Sequence, residues 1–185
     1  MDKTGRTRDE WIALRCQSGD PSGFEDLVAV MERPLLYYAG KLAGNVEAGL
    51  DILQDVWLKV FRDIRGLKER GSLRPWLYRI THGIAVDRIR RNASRESAEE
   101  THFEALQGSP EPAFTEEDSE AIHQALNEIA LKHREVLVLH FLEDFSLAEI
   151  AAIVRCSEGT VKSRIHYAKL AMKQILMRGG YGTKR

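Results

Sequence analysis

Apolar side chains recur at intervals of three and four along most of this chain, and nowhere do they alternate for long. That period predicts helices, and no Asn-Gly or Asp-Gly turn joins β-branched runs to suggest a hairpin. Two short periodic stretches, 9–17 and 24–31, flank the turn Gly19-Asp20-Pro21-Ser22-Gly23. Pro34 is expected to kink or end the second helix, or to start another. In 46–64, Leu50, Leu53, Trp57, Val60, Phe61 and Ile64 are expected on one buried face, with Asp51, Gln54, Asp55 and Arg62 on the others. Residues 65–74 break the period and read as a basic loop. Pro75 suits the first turn of a helix that buries Leu77, Ile80 and Ile84 and runs to about Arg91. Periodicity resumes near Ser119. Ala121, Ile122, Ala125, Leu126 and Ile129 mark one helix; Val136, Leu137, Leu139, His140 and Phe141 mark the next. A short helix from Leu147 to Val154 then leads through Arg155-Cys156-Ser157 into a longer one reaching about Met177. In it Val161, Ile165, Ala168, Met172 and Ile175 form a single core stripe.

Between the two periodic parts lies RNASRESAEETHFEALQGSPEPAFTEEDSE, with Pro110, Pro112 and little apolar pattern. Linker composition predicts two small helical domains, 1–94 and 117–185, joined by an acidic linker over 95–116: an all-α protein. The net charge of -1 conceals an uneven distribution. Residues 1–91 carry 16 basic and 13 acidic side chains, 92–120 carry one and nine, and 121–185 carry ten and six. The local field therefore matters more than the total. No run of apolar residues is long enough for a membrane span, no secretory leader is evident at the N-terminus, and Cys16 and Cys156 stand far apart. A soluble protein of a reducing compartment, with both thiols packed as small hydrophobes, is expected.

Candidate chemistry concentrates in two places. Residues 146–173 have the short-helix, tight-turn, longer-helix arithmetic of a helix-turn-helix, with Ala151 and Ala152 allowing close packing and Ser157 suited to cap the second helix. Opposite Val161 and Ile165, that helix offers Lys162, Ser163, His166 and Tyr167, side chains that hydrogen-bond phosphates and base edges. Arg164 and Lys169 add to its positive charge. Residues 59–91 hold ten basic and three acidic side chains interleaved with Phe61, Trp76 and Tyr78, a mixture suited to single strands, whose splayed bases can stack. Tyr78, Arg79, His82 and Arg90 are expected to share one outward arc. Searches for a nucleophile or a metal site fail: GxSxG, HExxH and P-loop motifs are absent, and the histidines lack ligand spacing. No catalytic residue, metal or cofactor is expected. A stand-alone helix-turn-helix regulator and a helical decoy remain as rival readings.

Three motifs in order resemble the extracytoplasmic-function (group IV) branch of the sigma-70 family of bacterial RNA polymerase sigma factors. GDPSGFEDLV (19–28) with DILQDVWLKVF (51–61) is similar to the core of region 2. RPWLYRITHGIAVDRIRR (74–91) is similar to the part that melts and reads the minus-10 element. REVLVLHFLEDFSLAEIAAIVRCSEGTVKSRIHYAK (134–169) is similar to region 4, the reader of minus-35. The resemblance implies that Asp51, Gln54 and Asp55 dock the clamp coiled coil of the largest polymerase subunit, the polymerase flap being a further contact. It implies that Lys68, Arg70, Ser72, Arg74, Tyr78, Arg79, His82 and Arg90 meet minus-10 DNA, and that Lys162, Ser163, Arg164, His166, Tyr167 and Lys169 meet minus-35 DNA. The family usually carries Arg-Asn where this chain has His82-Gly83, and often Arg where Tyr167 stands, so altered base preferences are expected. An anti-sigma factor, often membrane-anchored, is the implied regulator of a cytoplasmic protein that does not itself insert into the membrane.

Overall fold

The computed structural model describes residues 3–93 and 116–178, and among them there is no strand. Helices α1 (Lys3–Ser18), α2 (Pro21–Ala43), α3 (Val46–Asp63) and α4 (Leu73–Ala93) form the first half. Helices α5 (Glu116–Glu128), α6 (Leu131–Leu137), α7 (Leu147–Val154) and α8 (Glu158–Arg178) form the second. Short 3-10 turns at Ile64–Gly66 and Arg70–Ser72 lead from α3 to α4, and a π-turn over Val138–Leu142 prolongs α6. The expected linker, 95–116, lies outside the described residues except for Glu116, with which α5 begins.

The turn after α1 is set by its residues. Gly19 adopts φ 80°, and the Asp20 carboxylate caps α2 by accepting from the Ser22 amide at 3.0 Å. Arg15 reaches across to Asp20 at 2.8 Å and also binds Asp26. The Ser22 hydroxyl and the Arg15 guanidinium hold the Asp20 carboxyl down to about 2. Asn45 caps α3, its side-chain oxygen accepting from the Ala48 amide at 2.7 Å. Where α2 crosses α3, a Cβ on Gly49 would lie 2.8 Å from the Gly40 backbone, so only glycine allows that approach.

Two expectations about these helices need correction. Of the three outcomes expected at Pro34, ending a helix and starting one are overturned: α2 runs through it from Pro21 to Ala43. Proline removes one backbone hydrogen bond, but Met31, Leu35 and Tyr38 around it are all buried, and their packing outweighs that loss. In α3 the buried set is Ile52, Leu53, Val56, Val60 and, just beyond, Ile64, whereas Leu50 and Phe61 are 46% and 69% exposed and Trp57 is half-buried. The apolar residues of this helix exceed the face it can bury.

In the second half the α8 stripe is as the spacing predicts: Val161, Ile165 and Ala168 are buried, while Met172 and Ile175 pack half-buried against Leu126, Ile129 and Leu137. A reciprocal capping box, Ser146 with Glu149, opens α7. Ser157 caps α8, its hydroxyl accepting from the Thr160 amide at 3.1 Å. The two halves do not stand apart. One apolar core runs from Leu77, Tyr78 and Ala85 of α4 to Val136, Leu139, Phe145, Ile150 and Ile153, with α7 packed on α4 and α6 on α2.

Candidate nucleic-acid interface

On α3, Asp51, Gln54 and Asp55 are exposed. Arg88 of α4 binds Asp51 and lies 3.8 Å from Asp55, so the two carboxylates are fixed in position yet open to solvent. Nothing in the spacing of the sequence announced Arg88, because the pairing depends on how α4 crosses α3.

The basic loop is braced from α1. Gln17 donates to the Leu67 carbonyl at 2.6 Å and accepts from Arg70 Nε at 2.8 Å, while Ser72 donates to Glu69 at 3.3 Å. Lys68 and Arg70 remain exposed, and Ser72 is half-buried. Along α4 the residues expected on one outward arc divide into two faces. Arg79 and Arg90 point outward, Arg90 pairing with Asp87 at 3.2 Å. Arg79 lines a cleft of about 450 Å³ together with Lys59, Trp76 and, from the other half, Arg155. Tyr78 and His82, by contrast, are buried. They continue the stripe begun by Arg74 at four-residue intervals, and that stripe faces the second half of the molecule rather than solvent.

Each member of the stripe has a partner there. Arg74 donates to Glu143 Oε2 at 3.0 Å and stacks 5.6 Å from the centre of the Phe145 ring. The Tyr78 ring lies 5.0 Å from Phe145 and 5.2 Å from Tyr38. His82 Nε2 is 3.2 Å from Glu135 Oε2, and Glu135 Oε1 accepts from Arg164 of α8 at 2.7 Å. Glu135 and Glu143 are only 6% and 9% exposed. Burial raises the Glu143 carboxyl above its usual value, against the opposing pull of Tyr78 and Arg74. Burial, reinforced by Glu143, raises the Tyr78 hydroxyl. Sequence reasoning missed both glutamates, which look like ordinary members of a polar helix face and loop.

On α8, Lys162, Ser163, His166, Tyr167 and Lys169 all face solvent, opposite Val161, Ile165 and Ala168. Arg164 is half-buried by its bond to Glu135. Lys169 lies 4.8 Å from the exposed Phe141 ring, and Tyr167 stacks near His133. The tight connection before α8 has Arg155 in the left-handed region at φ 55°. Of the two thiols, Cys16 is buried and pushed up to about 11 by burial, while Cys156 is half-buried. Among the described residues no cluster of His, Cys, Asp and Glu could hold a metal ion, and no helix is long and apolar enough to cross a membrane.

Comparison with known proteins follows the same division. The family model for Sigma-70 region 2 matches residues 27–95, and that for Sigma-70, region 4 matches 119–172. The chain is 30% identical over 172 residues to the ECF RNA polymerase sigma factor SigW of Bacillus subtilis, covering 86% of this chain and 92% of that protein. It is 29% identical over 181 residues to the RNA polymerase sigma-H factor of Pseudomonas aeruginosa, covering 91% and 94%. Among solved structures, CnrH in complex with the cytosolic domain of CnrY aligns with a TM-score of 0.66 at 23% identity, covering 92% of this chain and 98% of that one. RpoE in complex with the anti-sigma factor NepR, from Bartonella quintana, aligns with a TM-score of 0.68 at 22% identity, covering 83% and 96%. These two share the fold.

Proposed function

We propose, from the premise that this chain belongs to the extracytoplasmic-function branch of the sigma-70 family, how its parts divide the work of promoter-specific transcription initiation. Residues 1–94 act as region 2 and 117–185 as region 4, with 95–116 as the acidic tether. The exposed polar row Asp51, Gln54 and Asp55 docks core polymerase, and α8 lies in the major groove at minus-35. There Lys162, Ser163, His166, Tyr167 and Lys169 reach phosphates and base edges, the charged members giving affinity and the others selectivity. The loop carrying Lys68, Arg70 and Ser72, together with Arg74, Tyr78, Arg79, His82 and Arg90 of α4, captures the minus-10 strand.

The protein is a regulatory DNA-binding factor in the manner of its family, and we infer that it has no chemistry of its own. Melting draws on the capture of unpaired bases, each offsetting the few kcal/mol needed to unstack it. Two modest readers on one enzyme become selective because binding of one raises the local concentration of the other. An anti-sigma factor, of the kind often anchored in the membrane, is the proposed regulator of this cytoplasmic protein. The co-complexes of CnrH with CnrY and of RpoE with NepR support this indirectly, since those proteins share the fold.

The observation that carries the reading is the α7–turn–α8 unit, whose capped second helix turns a polar, basic face outward opposite a buried stripe. Run-off transcription with purified core enzyme on a genomic promoter library tests it. Addition of the protein is expected to create defined new start sites; an unchanged pattern of start sites would overturn the reading.

A further inference from the structure

The cleft of about 450 Å³ beside α4 has a chemistry that the promoter reading does not use. Ile80 and Ile84 give it an apolar lining, and half-buried Trp76 adds an aromatic one. Arg79 of α4 and Arg155 of the turn between α7 and α8 border the same space. Neither guanidinium has a hydrogen-bond or ion-pair partner among the described residues, whereas Lys59 beside them is bound to Asp63 at 2.8 Å. Asp87, also in the lining, accepts from Arg90 at 3.2 Å through Oδ1 and has its other oxygen without a partner among the described residues.

Two residues here are poor local choices that meet at the cleft. Arg155 ends α7 in the left-handed region at φ 55°, a position where glycine or asparagine is usual. Gly83 stands inside α4, where glycine weakens a helix. A Cβ at Gly83 would lie 4.0 Å from the Arg155 guanidinium, so any longer side chain there would take the space the two now leave open. The volume is within the range of about 300–1,000 Å³ usual for small-molecule sites. An apolar lining with an indole suits a flat ring, and two guanidinium groups suit phosphate oxygens. The open Asp87 oxygen needs a donor, which sugar hydroxyls supply and a plain aromatic acid does not. We propose that this cleft binds a nucleoside di- or triphosphate, its base against Trp76, its phosphates between Arg79 and Arg155, and its sugar donating to Asp87. The proposal goes beyond promoter reading and needs neither polymerase nor DNA.

Isothermal titration of the full chain with ATP and GTP, without magnesium, tests it against inorganic tripolyphosphate. One site per chain is expected, with at least one nucleotide bound about tenfold more tightly than tripolyphosphate through stacking of its base. Arg155→Asn removes the guanidinium yet suits the left-handed backbone, and should weaken nucleotide binding about tenfold. Gly83→Asn, which restores the usual family residue, should fill the space and weaken it by as much, with helix content by circular dichroism unchanged in both variants. Absence of binding, equal affinity for tripolyphosphate and both nucleotides, or unchanged nucleotide affinity in folded Arg155→Asn would each overturn the proposal. A fluorescent oligothymidylate that loses as much affinity as the nucleotide in Arg155→Asn would assign the cleft to a nucleic-acid strand and overturn it too. Failure of run-off transcription with core enzyme would refute the promoter reading and leave nucleotide binding standing.

Discussion

Among the described residues, Lys41 is a lysine almost wholly withdrawn from solvent. It is buried on α2, and its ammonium donates to Asn127 Oδ1 at 2.6 Å and to the His123 carbonyl at 3.2 Å on α5. Burial, helped by the nearby Arg134 guanidinium, lowers its pKa from 10.5 to about 8. A base with a lowered folded-state pKa is bound by fewer protons when folded than when unfolded, so stability rises with pH above the folded value. Thermal unfolding should therefore shift upward between pH 8 and pH 9, above the range of His123 and below the span from 9.0 to about 11 over which the raised Cys16 thiol opposes the trend, and Lys41→Met should flatten that slope. Gly49 makes a second residue-scale prediction. Its Cβ would sit 2.8 Å from the Gly40 backbone, which cannot yield as a side chain can, so Gly49→Ala should destabilise by about 1–3 kcal/mol in denaturant titration. Neither effect was legible in the sequence, because both depend on a helix crossing that no local pattern specifies.

At the scale of elements, legibility followed the number of faces a helix buries. The α8 stripe was readable because one face is buried and the rest is wet. So were the caps at Ser157 and the break over 65–74, which are local chemistry. Helix α4 was read correctly in position but not in orientation: Leu77 and Ile80 are buried as expected, yet so are Tyr78, Thr81 and His82, because a second surface packs on it from the distant half. Helix α3 erred the other way, with Leu50 and Phe61 left outside. Its exposed polar row yields the element-scale prediction. Gln54→Ala with Asp55→Ala should weaken binding to core polymerase by about 1.4 kcal/mol or more, tenfold in a pull-down titration, with helix content unchanged by circular dichroism. Retained binding would remove the row from the docking surface.

For the whole molecule, the sequence pattern anticipated two helical halves separated by an acidic stretch, and family models match on either side of that stretch. It did not anticipate that the halves share one apolar core, since contacts such as Tyr78 with Phe145 and Tyr37 with His123 span 67 and 86 positions and leave no periodic trace. Joint action of two readers predicts a promoter-dependent phenotype. Lys162→Ala should lower transcription where minus-35 contributes and spare promoters that dispense with it, and should reduce the salt slope of duplex binding by about 1. Equal losses on both promoter types would indicate a folding defect.

The clasp made by Gln17 reaches beyond the segment by which the first half is matched, for that match begins at residue 27 while Gln17 grips Leu67 and Arg70 from α1. A fragment trimmed to the start of that match would keep every residue of the loop and lose its anchor. Boundaries drawn from shared sequence thus cut through the lever arm that gives this loop its shape, and grafting the loop into another member of the family would require transplanting α1 with it.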